Sequence, residues 1–109
     1  MLDMRAYGEQ VVKFTHGLTG ETFKGDDLRR LAVERALFII GEAANRVPRE
    51  VQTELPEIPW AAIIGLRNLL AHGYEIVSAD RLWQTATVSV PELLKHLDAA
   101  IEKQPPFEI

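Results

Sequence analysis

Cysteine is absent from this 109-residue chain, so disulfide bonds, thiolate metal sites and thiol catalysis are all excluded. A long apolar run is also lacking, because the longest strongly apolar stretch, Ala36 to Gly41, is far shorter than the ~20 residues that a transmembrane helix needs. No basic segment leads into an apolar run after Met1, so no signal peptide is expected. Together these absences predict a soluble, cytoplasmic protein that does not enter a membrane.

Positive charge is in short supply as well. The formal net charge is −4, which argues against broad coating of a nucleic acid, and no binding to DNA is expected. A local RNA site built from a few arginines is still compatible with that charge. The length corresponds to one domain, residues 1–109, in which roughly 60–70% of the unfolded chain's surface can be buried on folding.

Helical periodicity runs through the chain from end to end. Apolar residues recur at spacings of three and four, and no strand-like alternation of useful length appears. The predicted helices are Asp3 to His16; a long helix that Asp26 or Asp27 caps and that reaches Val47; a short helix opened by Pro48; a helix opened by Pro59 and ended by Gly73; and a last helix, capped by Ser78 or Asp80, that reaches Ile101. A short loop is expected from Gly17 to Gly25, and a kink at Pro91. The fold class is therefore an all-α, four- to five-helix up-and-down bundle.

The second predicted helix is apolar on more than one side between Leu37 and Val47. Such a helix lies in the middle of a bundle or is buried against a second subunit. A homodimer is therefore one of two interpretations of this surface.

Polar residues interrupt an otherwise apolar helix between Gly65 and Tyr74, at Arg67, Asn68 and His72. The spacing of arginine and histidine is weak evidence by itself, because an arginine paired with a carboxylate and a histidine at a helix end would explain it equally well. At about 100° per residue, Asn68 and His72 share a face, whereas Arg67 and His72 differ by roughly 140°. Either the helix ends at His72, or two chains combine their motifs across a two-fold axis.

These residues are sufficient for metal-independent cleavage of RNA. In that reaction the 2′-hydroxyl attacks the adjacent phosphate, which requires a group that exchanges protons near neutral pH, the special property of histidine. The planar guanidinium of Arg67 suits the charge that develops on the phosphate oxygens. Asn68 can hold the phosphate or the histidine by hydrogen bonds. No cofactor and no metal ligand is expected.

The segment Arg67-Asn68-Leu69-Leu70-Ala71-His72-Gly73-Tyr74 resembles the Arg-Asn-x-x-x-His-x-Tyr motif of HEPN-domain toxins. These HepT-like proteins are the partners of minimal nucleotidyltransferase (MntA-like) antitoxins. Two flanking blocks are also similar to the family, Ile39-Ile40-Gly41-Glu42-Ala43-Ala44 and the stretch from Pro56 to Gly65. The resemblance covers roughly Arg29 to Leu97.

This resemblance implies a homodimeric HEPN-like bundle with the motif at a cleft between subunits. It implies an endoribonuclease toxin of a type II or type VII-like toxin–antitoxin pair, in which Arg67, Asn68 and His72 act on RNA without a metal. It further implies an antitoxin that neutralises the toxin by transferring AMP to Tyr74. The chain departs from the family in one respect, since an aspartate often follows the tyrosine closely and here the nearest one is Asp80.

Glu42 is the remaining candidate, because it stands among small apolar residues. It is interpreted either as the partner of a nearby arginine such as Arg67 or as a direct participant in catalysis. Two other function classes stay open from the sequence: a non-catalytic subunit that presents substrate to a nucleotidyltransferase, and a nucleotide-binding or purely structural helical dimer. Cleavage of RNA in EDTA would separate the ribonuclease from both.

Overall fold

The computed structural model describes residues 1–72 and 77–103, and this part of the chain is helical with no strand, which confirms the predicted all-α class. The helices are α1 Leu2–Thr15, α2 Gly20–Lys24, α3 Asp27–Asn45, α4 Arg49–Glu54, α5 Trp60–His72, α6 Ala79–Gln84 and α7 Val90–Lys103, with a π-helical segment, Thr85–Ser89, joining α6 to α7.

The long helices pack as an antiparallel bundle around α3. Helix α3 contacts α1 on one side and α5 on another, and α1 also packs on α7. An ion pair between Arg5 and Asp98, with atoms 2.8 Å apart, shows the antiparallel register of α1 and α7. The fully buried large side chains at the centre are Phe23, Met4, Leu82, Leu97, Val11 and Val33. This arrangement leaves α5 as an outer helix that rests mainly on α3.

The prediction of a loop from Gly17 to Gly25 is wrong, because α2 occupies most of that segment. The Thr19 hydroxyl accepts from the Thr22 amide at 3.2 Å and the Thr22 hydroxyl accepts from the Thr19 amide at 2.7 Å, which satisfies two orphan donors of the first turn. Phe23 is fully buried, with its ring centroid 5.3 Å from that of Trp83. Tertiary packing therefore stabilises a helix too short for periodicity to reveal.

The expected disturbance at Pro91 takes the form of a π-helical turn. Proline has no amide hydrogen, and its ring would clash with the carbonyl four residues earlier, that of Thr87. The widened segment Thr85–Ser89 precedes it, and the Val90 amide donates to the Thr85 carbonyl five residues back. The helix then continues as α7 to Lys103.

Hydrogen bonds identify the N-cap residue of two helices for which the sequence offered two candidates each. The Asp26 carboxylate accepts from the Arg29 amide at 3.0 Å, so Asp26 rather than Asp27 is the N-cap of α3. The Ser78 hydroxyl accepts from the Arg81 amide at 3.1 Å, so Ser78 rather than Asp80 caps α6.

The apolar surface expected between Leu37 and Val47 is mostly covered within one chain. Leu37, Ile40 and Ala44 are buried, and the intervening apolar side chains are half-buried. The large hydrophobic side chains that remain exposed in the described residues are elsewhere: Leu2, Tyr7, Val12, Leu28, Leu31 and Val88. Packing of α3 against α1 and α5 therefore accounts for the buried side chains of this segment, and the second subunit stays a prediction.

None of the helices in the two described stretches combines the length and the apolar character that spanning a membrane requires.

Candidate active site

Gly41 sets the position of Arg67. A methyl group at Gly41 would lie 2.8 Å from Cγ of Arg67 and 3.2 Å from the Ile63 carbonyl oxygen, and closer still to Cβ of Arg67. Because a glycine occupies this point of α3, α5 can approach closely enough for the stem of Arg67 to lie against the α3 backbone. The head of the side chain then reaches the polar edge of the α3–α5 seam.

Glu42 and Asn68 orient the guanidinium of Arg67. The Arg67 Nε–H group donates to Glu42 Oε1, and Nη1 donates to Asn68 Oδ1 at 2.8 Å. The Arg67 and Glu42 side chains are 27% and 28% exposed, so the pair lies at the surface of the seam rather than inside the core. An arginine has five N–H donors, and among residues 1–72 and 77–103 no hydrogen bond uses the two donors of Nη2, which can bind an anionic ligand.

His72 and Asn68 lie on the outer side of α5. Both residues are exposed, and His72 is in the last turn of the helix. Asn68 and His72 are one turn apart, whereas His72 lies about 7.5 Å along the helix axis from Arg67 and about 140° around it. The structure thus joins Glu42, Arg67 and Asn68 in one hydrogen-bonded group, with His72 at the neighbouring end of α5. Tyr74 lies outside the described residues.

Phe38 connects the site to a second arginine. The Cζ atom of Arg67 lies 5.7 Å from the centroid of the Phe38 ring, and the Cζ atom of Arg35 lies 5.4 Å from the same centroid. Both distances fall within the range of cation–π attraction. Sequence reasoning missed Arg35, Phe38 and Gly41 as site residues. The spacing of Arg35, Phe38 and Glu42, at i, i+3 and i+7, was the signal that places them on one face of α3.

The family described as Ribonuclease HepT-like matches residues 4–100 of this chain. The chain belongs to the HepT-like ribonucleases. The match covers every residue of the hydrogen-bonded group on α3 and α5. The family resemblance inferred from the motif is therefore confirmed.

Curated relatives of this HepT-like chain agree with that assignment. A protein of Thermococcus cleftensis named "Probable ribonuclease HepT" is 38% identical over 85 residues, which are 78% of this chain and 77% of the relative. A protein of Caldanaerobacter subterraneus named as a candidate RNase is 32% identical over 96 residues, covering 88% and 86%. Another such protein, from Methanocaldococcus jannaschii, is 30% identical over 102 residues, covering 94% and 88%. The comparison with solved structures gave no match.

Metal-ligating side chains are not clustered in residues 1–72 and 77–103: no group of three or more histidine or carboxylate residues is placed there to hold an ion. The polar groups at this end of the α3–α5 seam are a guanidinium, a carboxylate, a carboxamide and an imidazole. Their chemistry is anion binding and proton exchange.

Proposed function

We propose that this chain is a metal-independent endoribonuclease and the toxin of a toxin–antitoxin pair. The observation that carries the proposal is the orientation of Arg67: Glu42 and Asn68 fix its guanidinium and leave Nη2 to bind an anion, beside an exposed histidine on the same helix. A phosphodiester carries the charge that such a guanidinium binds best.

The reaction is cleavage of RNA by its own 2′-hydroxyl. The 2′-oxygen forms a bond to phosphorus while the bond from phosphorus to the 5′-oxygen breaks, leaving a 2′,3′-cyclic phosphate and a 5′-hydroxyl. His72 accepts the proton of the 2′-hydroxyl or delivers one to the 5′-oxygen, and Arg67 stabilises the additional negative charge on the phosphorane oxygens. Asn68 keeps Arg67 in place through the bond to Nη1.

A homodimer would bring His72 and Arg67, which point in different directions on α5 of one chain, to a common cleft. The outer side of α5 presents Ala61, Gly65, Asn68 and His72, at i, i+4, i+7 and i+11, and all four are exposed. This spacing is that of a helix seam, and the small residues allow another helix to approach closely. Two-fold packing of α5 on its copy would place the two His72 side chains at one cleft, with Arg67 of either chain beside them.

The partner proposed for regulation is a minimal nucleotidyltransferase antitoxin that transfers AMP to Tyr74. In that step the tyrosine oxygen forms a bond to the α-phosphorus of ATP and pyrophosphate leaves. The new phosphate and adenosine would lie two residues from His72. The negative charge of the phosphate would repel RNA, and the adenosine would block its binding sterically. This part of the proposal rests on the motif and the family, because Tyr74 lies outside the described residues.

The test is cleavage of RNA by purified protein in the presence of EDTA. Wild type should cleave and leave 2′,3′-cyclic phosphate ends, and both Arg67→Ala and His72→Ala should lower kcat/KM by about 10²–10⁴-fold, the usual contribution of such groups. His96→Ala is the matched control, because His96 is a half-buried histidine of α7 that pairs with Glu92 at 3.5 Å. Its activity should equal that of wild type.

Two results would contradict the ribonuclease. Cleavage that requires Mg²⁺ and survives both substitutions would indicate another mechanism or a contaminant. Binding of RNA with no cleavage under any condition would favour a non-catalytic subunit.

A further inference from the structure

We propose that Arg35 is a second phosphate-binding residue of this site and that the RNA strand passes from Arg67 to Arg35 along the α3–α5 seam. The inference rests on the proposed ribonuclease function and deepens it, since it assigns a path to the substrate beyond the phosphate that is cut. Nothing in the motif Arg67–Tyr74 points to Arg35, which is 32 positions away from Arg67 in the sequence.

Phe38 lies close to both guanidiniums and so limits the distance between them. Because the Cζ atoms of Arg35 and Arg67 lie 5.4 and 5.7 Å from one ring centroid, they cannot be more than about 11 Å apart. Neighbouring or next-neighbouring phosphates of a single strand fall within that span. The two guanidiniums are therefore close enough together to contact phosphates of the same strand.

Arg35 is available for such a contact. Its residue is exposed, and within residues 1–72 and 77–103 no carboxylate forms an ion pair with it. Arg5, Arg30 and Arg67, by contrast, each pair with an acidic side chain. A guanidinium has five N–H donors, and attraction to an aromatic ring occupies none of them with a hydrogen-bond acceptor, so they can still bind an oxyanion.

A groove joins Arg35 to the end of α5 that carries His72. Its volume is about 360 Å³, and it is lined by Leu31, Glu34, Arg35, Phe38, Leu70 and Ala71. Leu70 and Ala71 belong to the last turns of α5, so a strand lying in this groove would run past Arg35 and Phe38 toward that end of the helix. Among the described residues that line the groove, Glu34 is the acidic one, and it lies about 100° around α3 from Arg35. Its negative charge repels a phosphate in the groove, so removing that charge should strengthen RNA binding.

The experiment measures binding of a single-stranded 2′-O-methyl RNA, which has no 2′-hydroxyl to attack and therefore cannot be cleaved. Arg35→Gln is compared with Arg81→Gln, and both take the formal net charge from −4 to −5. Arg81 is exposed, lies on α6 beside Leu37 and Ile40, and forms no ion pair with the described carboxylates. The control thus removes the same charge from a different groove.

Arg35→Gln should weaken binding roughly tenfold at low salt, and the plot of log K against log salt should lose about 0.7 of its slope, the value for one phosphate contact on a single strand. Arg35→Lys should recover part of the loss, and Glu34→Gln should tighten binding. With cleavable RNA, the loss for Arg35→Gln should appear mainly in KM, whereas Arg67→Ala lowers kcat. Helical circular dichroism and the melting temperature of each variant should match those of wild type.

Three outcomes overturn the inference while leaving the ribonuclease intact: equal losses for Arg35→Gln and Arg81→Gln, an unchanged salt slope, or a defect confined to kcat. If wild type neither binds nor cleaves RNA, the proposed ribonuclease function itself is wrong, and this result differs from the three that concern Arg35 alone. Loss of binding to a partner protein with unchanged RNA binding would assign Arg35 to a protein interface instead.

Discussion

The stem of Arg67 on α5 lies directly against Gly41 on α3. Because glycine has only a hydrogen atom as its side chain, the Arg67 guanidinium can take this position. The neighbours of that hydrogen are Cβ and Cγ of Arg67 and the Ile63 carbonyl, none of which is the free end of a flexible side chain. The contact cannot therefore be relieved by rotating a terminal group. It links the packing of α3 on α5 to the orientation of the proposed anion-binding group.

Gly41→Ala should separate α3 from α5. Alanine is the better helix former by up to about 1 kcal/mol, yet the overpacking should cost about 1–3 kcal/mol, so the free energy of unfolding should fall. Cleavage should fall by ~10²-fold, because a shift of about 1 Å in a positioning group has that effect. Chemical denaturation and initial rates check both effects.

Gly25→Ala is the control for that substitution. Gly25 follows α2, has a φ of −86°, and would place a methyl group no closer than 3.9 Å to its neighbours. Its stability should change by no more than about 1 kcal/mol, with normal cleavage. Equal behaviour of the two variants would mean that Gly41 has no special role.

Substitutions at Glu42 separate an orienting role from a catalytic one. If the carboxylate only holds Arg67, then Glu42→Gln, which keeps an acceptor for Nε–H, should retain cleavage to within about tenfold, whereas Glu42→Ala should lose roughly 10–100-fold because a hydrogen bond to a charged group is removed. Single-turnover rates are the measurement. A glutamine variant as inactive as the alanine variant would assign the carboxylate to the chemistry itself.

Gly65→Gln tests the proposed dimer. A Cβ added at Gly65 meets no atom of another described segment within 4 Å, so the fold of one chain should tolerate the change, while a second helix on the outer side of α5 should be displaced. Light scattering of wild type should give twice the 12.3 kDa chain mass, and the variant should shift toward one chain with reduced cleavage. Ala99→Gln, at an exposed small residue of α7, should remain dimeric. A monomeric, fully active wild type would rule out a shared cleft.

Tyr74→Phe tests the proposed control by AMP transfer. Co-expression with a minimal nucleotidyltransferase should add an adenylyl group to the peptide that contains Tyr74 in wild type and to no peptide in the variant, because phenylalanine lacks the attacking hydroxyl. Peptide mass spectrometry and a growth assay report the two outcomes. Neutralisation without any modified tyrosine would indicate that the partner acts by covering the cleft.

The sequence by itself determined the helical class, the longer helices and the family. Periodic apolar residues predict helices wherever the burial of one face dominates, so α1, α3, α5 and the α6–α7 region were recognisable within a few residues of their ends. The motif from Arg67 to Tyr74 with its flanks identified the family because residue types at fixed spacing are visible in one dimension. Helix α2 was not recognisable from apolar periodicity, since it has only five residues and the burial of Phe23 against other helices contributes to its stability.

Only the tertiary structure decided which groups meet. Each of the main contacts of the site depends on how closely α3 and α5 approach. Gly41 contacts Arg67, Glu42 pairs with Arg67, and the Phe38 ring lies near both Arg67 and Arg35. The same packing buries Leu37, Ile40 and Ala44, in a segment for which the sequence alone left open either the middle of the bundle or a second subunit. Periodicity gives the direction of each side chain around its own helix, whereas the distance between helices depends on side-chain volumes at the contact, and here one glycine set that distance.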